Sequence, residues 1–158
     1  GYLRFREDHF IDESDKVTNV RSRITHIGPA SEYKYPHGVV LSRSRYIAEA
    51  KQSLRFYREY FQPLREYDIE KDRLRYLVDI DGKEFFINLD TITKPSLGKF
   101  IEIKSRTWSR KDAEEKSQVI TKILTSLGVS KEQAIARDYL GMLSLAFGKK
   151  RIKTFGPI

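Results

Sequence analysis

Two acids stand either side of a turn in the stretch "LDTITKPSLGKFIEIK", Asp90 and Glu102, and the stretch ends on Lys104. Carboxylate oxygens in such a pair suit Mg²⁺ or Mn²⁺, which commonly bridges one or two carboxylates to substrate phosphates. Carboxylates also neutralise neighbouring arginines, and the spacing leaves both readings open. The surrounding chain is strongly basic, with 30 Lys and Arg against 22 Asp and Glu, a formal charge of +8 and a pI near 9.6. Such a balance favours an anionic partner: a phosphate ligand, a nucleic acid or an acidic membrane surface.

The basic residues recur at alternate positions, as Arg4/Arg6, Arg21/Arg23, Arg43/Arg45, Lys71/Arg73/Arg75 and Lys104/Arg106. On a β-strand, alternate residues share a face, so each set reads as a cationic stripe and a candidate set of phosphate contacts. The guanidinium is a planar fork that stays charged and grips phosphate oxygens in pairs. Like charges this dense repel one another. A sheet that carries them either leaves them in water as a solvated outer face or closes around an anion. His9, His26 and His37 show no metal-ligand spacing, and no Gly-rich phosphate loop is present. Trp108 and the nine tyrosines are core residues or base-stacking platforms.

The elements that would position these side chains follow from periodicity. "YLRFRED", "VTNVRSRITHIGP" and "VVLSRSR" alternate as strands, and positions 46–61 carry a helical apolar stripe of Ile47, Leu54, Tyr57 and Phe61 that ends before Pro63. "YDIEKDRLRYLVDIDG" and "KEFFINLD" return to period two around the hairpin signal Asp81-Gly82. "KFIEIKSR" follows the Pro95/Gly98 turn as a sixth strand. Ser109 or Thr107 caps a helix with apolar positions Ala113, Ile120, Ile123, Leu124 and Leu127 that Gly128 stops, and Ser130 starts another through about Leu145.

At 158 residues the chain fits one domain. It has no cysteine, which excludes disulfides and thiolate metal sites, and the plain expectation is a cytoplasmic protein. No apolar run approaches the roughly 20 residues of a membrane span, so no membrane partner is expected. Opening on Gly1 rather than Met, the chain reads as an excised domain or a fragment of something longer.

"YLRFRED", "RITHIGP", "EKDRLRY" and above all "INLDTITKPSLGKFIEIKSR", with "LTSLGV" and "RDYLGML" behind it, resemble the CYTH family of triphosphate tunnel enzymes. That family includes class IV adenylate cyclases, thiamine triphosphatases and inorganic triphosphatases. The resemblance implies an α+β fold built on an eight-stranded antiparallel barrel with flanking helices. It would be a tunnel domain over residues 1–147, followed by a basic tail over 148–158. It implies phosphate contacts at Arg4, Arg6, Arg23, Arg43, Arg45, Lys71 and Arg73, and metal ligands at Asp90 and Glu102.

Three departures stand out. The family's Glu-x-Glu-x-Lys first strand is absent from these residues, Ile27 stands where a lysine precedes Gly-Pro, and Lys104 stands where a second glutamate follows Glu-Ile. An acid-poor site of this kind binds anions without readily hydrolysing them, and Lys104 would partly replace the metal cation. The expected activities are therefore a Mg²⁺- or Mn²⁺-dependent triphosphate phosphohydrolase, or a non-catalytic nucleotide- or polyphosphate-sensing module, for instance one linked to a P-loop NTPase. A weaker alternative is nucleic-acid binding through the cationic faces and Lys149, Lys150, Arg151 and Lys153 of the tail.

Overall fold

The computed structural model describes residues 1–28, 31–42, 46–135 and 137–147. The chain groups into two compact units, Gly1–Tyr33 with Leu41–Arg65, and Lys34–Val40 with Glu66–Ile158.

In the first unit, β1 (Tyr2–Ile11) and β2 (Val17–Ile27) form a long antiparallel hairpin, and β5 (Tyr46–Glu49) pairs on the other side of β2. The register sets Arg6 opposite Arg23, Asp8 opposite Arg21 and Arg4 opposite Thr25, so these side chains share one face, with Glu49 beside Arg23 on β5. The other face carries Leu3, Phe5 and Ile24, and there Tyr57 of α1 (Leu54–Phe61) meets Phe5 with ring centroids 5.7 Å apart. The alternation separates an apolar face, which takes the helix, from a cationic one.

β3 (Ser31–Lys34) and β4 (Val40–Ser42) form a two-stranded ribbon around a 3-10 turn at Pro36–Gly38.

In the second unit, β6 (Glu70–Ile80), β7 (Lys83–Lys94) and β8 (Gly98–Lys104) form an antiparallel sheet in that order. The β6–β7 hairpin turns on Asp81 and Gly82, both at positive φ (54° and 71°), the two-residue geometry that Asp-Gly favours because glycine adopts it without strain. One face carries Lys71, Arg73, Arg75, Asn88, Asp90, Glu102 and Lys104; the opposite face carries Leu74, Phe85, Leu89 and Ile101. The helix α2 (Arg110–Ser126) starts at Ser109, whose hydroxyl accepts from Asp112 N at 3.1 Å. A Lys83–Glu115 ion pair at 3.4 Å ties α2 to the Phe85 face. The last helix, α3 (Tyr139–Phe147), buries Leu143.

The expected eight-stranded barrel does not form. Among the described residues the strands fall into three sheets of three, two and three, and none closes on itself. Closure needs strands long and tilted enough for every edge to find a neighbour. Alternation in sequence says which face a residue takes but not which strand lies beside it, and β3 and β4, at four and three residues, offer little edge for pairing.

Two helical expectations also change. The stripe over 46–61 divides because Tyr46–Glu49 pairs with β2 and the hydroxyl of Ser53, accepting from Phe56 N, starts the helix only at Leu54. The helix expected from Ser130 reduces to a 3-10 turn over Lys131–Gln133, closed by its own capping box, and α3 begins afresh where Asp138 accepts from Gly141 N at 2.8 Å.

Phe85 has no exposed surface, whereas Leu74 on the same face is 61% exposed. Phe85→Ala should therefore cost about 3–5 kcal/mol in urea unfolding, and Leu74→Ala under about 1 kcal/mol. Equal losses would contradict the burial of Phe85 against the exposure of Leu74.

Candidate functional site

Asp90 has a fully buried side chain, and one strand, β6, and one helix, α3, supply its partners. Arg73, directly opposite on β6, grips it with both arms, Nε to Oδ1 at 2.6 Å and Nη2 to Oδ2 at 2.5 Å. Lys71 Nζ reaches Oδ2 at 3.0 Å, and the Tyr139 hydroxyl of α3 donates to the same oxygen at 2.6 Å. The Tyr139 ring lies edge-on to Phe100 and under the Lys71 ammonium, 4.8 Å from its centroid.

Glu102 is one step out of register with Asp90: Asp90 faces Phe100 across β7–β8, and Asn88 faces Glu102. Arg73 bridges the offset, since its Nη2 also reaches Glu102 Oε2 at 2.8 Å. Asn88 Nδ2 donates to the same oxygen at 3.1 Å, Lys104 Nζ pairs with Oε1 at 2.7 Å, and Arg75 Nε donates to Asn88 Oδ1 at 2.9 Å.

The electrostatics follow from these contacts. Burial pushes the Asp90 carboxyl up, but the bonds from Arg73, Tyr139 and Lys71 outweigh it and hold the group well below the usual carboxylate range. Glu102 behaves likewise, burial opposed by Lys104, Arg73 and Lys71. The Lys71 ammonium is lowered by burial and by the Arg73 charge, against the pull of the two acids. The Tyr139 phenol is raised, by burial and by its bond to Asp90.

All four oxygens of the two acids accept from protein donors. Mg²⁺ needs near-octahedral oxygen coordination, and this donor set as arranged does not fit it. Among the described residues no three His, Cys, Asp or Glu side chains gather as a metal group.

A second cluster lies on the β1–β2 face. Asp8 Oδ2 accepts from Arg6 Nη2 at 2.7 Å, Arg23 Nη2 at 3.1 Å and Arg21 Nη2 at 3.3 Å. Three guanidiniums converge on one carboxylate, with Glu49 beside Arg23 on β5 as the other acid of this face, and the buried Arg6 Nε has no hydrogen-bond partner among the described residues. Burial and the like charges of Arg6 and Arg21 lower Arg23, while Asp8 acts in the opposite sense.

The candidates thus divide. Lys71, Arg73, Arg75, Lys104, Asp90 and Glu102 come together in the second unit; Arg6, Arg21 and Arg23 gather in the first, with Arg4 on the same face. Arg106 follows the end of β8 with its carbonyl accepting from Lys116, and Arg43, Arg45 and the tail lysines lie outside the described residues. Asp8, Asn88 and Tyr139 take part without having been expected. The first two were within reach of the sequence, since Asp8 continues the Arg4/Arg6 alternation and Asn88 shares the Asp90 face. Tyr139 carries no spacing signal, because it arrives from a separate helix.

Because Asp90 is depressed in the folded chain below its ordinary 3.8, its stabilisation is complete above that pH and is lost as pH falls below it. Asp90→Asn should cost about 3 kcal/mol or more at neutral pH and flatten the acid limb of the stability profile, as read by urea melts at several pH values. Tyr139→Phe should cost about 2 kcal/mol. An unchanged acid limb in Asp90→Asn would contradict the assignment. Among known proteins, no family model, curated protein or solved structure matches the chain, and its function has to be read from these two clusters.

Proposed function

We propose that the chain binds a triphosphate or nucleotide-like polyanion, and that the arginine face of β1 and β2 grips its phosphate oxygens. The observation that carries this reading is the convergence of Arg6, Arg21 and Arg23 on the single carboxylate of Asp8, with the buried Nε of Arg6 left without an acceptor among the described residues. A buried N–H donor without a partner is costly, and crowded guanidiniums repel one another; a multivalent oxyanion relieves both. The resemblance of "INLDTITKPSLGKFIEIKSR" to CYTH chains supports a triphosphate as the ligand class.

Between a phosphohydrolase and a binding module, the second is favoured by the protein donors on every oxygen of Asp90 and Glu102. Phosphoryl transfer relies on cations placed against the phosphates and an oriented nucleophile. Here the acids are spent on Arg73, Lys71 and Lys104. The arginines' role is to bind and orient the anion, and Asp8 holds their side chains apart and aligned.

Calorimetric titration with inorganic triphosphate in the presence of chelator should show binding that weakens with salt. Arg6→Ala and Arg23→Ala should each lower the affinity about tenfold or more, as expected for losing a hydrogen bond to a charged group. Asp8→Asn should tighten binding by removing the competing anion. Affinity unchanged in both arginine variants would overturn the reading.

A further inference from the structure

We infer that Lys104 is the residue that sets the acid cluster of the second unit against divalent cations: its ammonium occupies the place a metal would take beside Glu102. Lys104 lies two residues after Glu102 on the same side of β8, and its Nζ sits 2.7 Å from Glu102 Oε1. The other oxygen of Glu102 is taken by Arg73 and Asn88. The cluster's cations differ in how firmly they are embedded. The Arg73 side chain is 15% exposed and serves both acids, whereas the Lys104 side chain is 47% exposed and serves Glu102.

Replacing Arg73 would take the bidentate partner from a buried carboxylate, with a large loss of stability. Replacing Lys104 removes the cation from Glu102 Oε1 on a side chain that is 31% exposed. An acid in its place would add a third carboxylate to Asp90 and Glu102 on one face, whereas the chain as it stands gathers no such trio among the described residues. Hard divalent cations select by the number and charge of oxygens offered, so exchanging the Lys104 ammonium for a carboxylate shifts this face from ion pair towards cation binding while Arg73, Lys71, Asn88 and Tyr139 keep the other oxygens. This reading is independent of anion binding at Arg6, Arg21 and Arg23, and its failure would leave that proposal standing.

The test is Mn²⁺ binding, read from the loss of the free-ion electron paramagnetic resonance signal with Mn²⁺ as the only added ligand. The chain itself should show no site tighter than about 1 mM, while Lys104→Glu should bind at least about tenfold more tightly. Lys104→Met should fall between the two, and Lys104→Glu combined with Glu102→Gln should return to the weak level. Circular dichroism melts confirm that each variant is folded, and Lys104→Met keeps the question answerable should the acidic variant not fold. Tight Mn²⁺ binding by the unaltered chain, or equally weak binding in both Lys104 variants, would overturn the inference.

Discussion

A buried carboxylate is tolerated only where its charge is matched and its lone pairs are filled, and Asp90 imposes that constraint on the second unit. Arg73 must lie directly across from it, Lys71 must reach the same oxygen, and Tyr139 must arrive from a helix many residues away. Register follows, because a one-residue slip of β6 against β7 would send Arg73 and Lys71 to the Leu74 face and leave Asp90 without either cation. The position of α3 follows as well, since Tyr139 joins it to both Asp90 and Phe100.

The first unit handles charge differently. There three guanidiniums share the one carboxylate of Asp8 on a half-buried face of the hairpin, and the buried Nε of Arg6 finds no acceptor among the described residues. Both clusters hold more cations than acids, and what separates them is how the polar atoms are used: every oxygen of Asp90 and Glu102 is taken by a protein donor, so that cluster fixes structure, whereas the buried Arg6 Nε beside Asp8 has no acceptor among the described residues and is left for a ligand. Hydrogen bonds from guanidinium to an anion gain from the low local dielectric, while the repulsion among unpaired guanidiniums grows for the same reason.

Much of this was legible in the sequence because period two fixes faces. Lys71, Arg73, Asp90 and Glu102 fall on one side of their strands by alternation alone, Asp81-Gly82 marks its hairpin, and Ser109 marks the start of α2. What alternation cannot carry is adjacency. Strand neighbours and the arrival of Tyr139 depend on long-range pairing, and alternation, which left a solvated face and closure around an anion both open, is satisfied among the described residues by three separate sheets rather than the barrel the resemblance implied. The stripe over 46–61 misled for a local reason: Ile47 fits a helical period as well as a strand, and only pairing with Thr25 decides it.

The central claim is that the clustered guanidiniums of β1 and β2 receive an anion. The most direct measurement is the nitrogen-15 resonance of arginine Nε–H groups during titration with inorganic triphosphate in chelator. The account predicts that Arg6 Nε shifts most, together with Arg21 and Arg23, while Arg73, held by Asp90 and Glu102, stays in place. A large shift at Arg73 with Arg6 unmoved would contradict it.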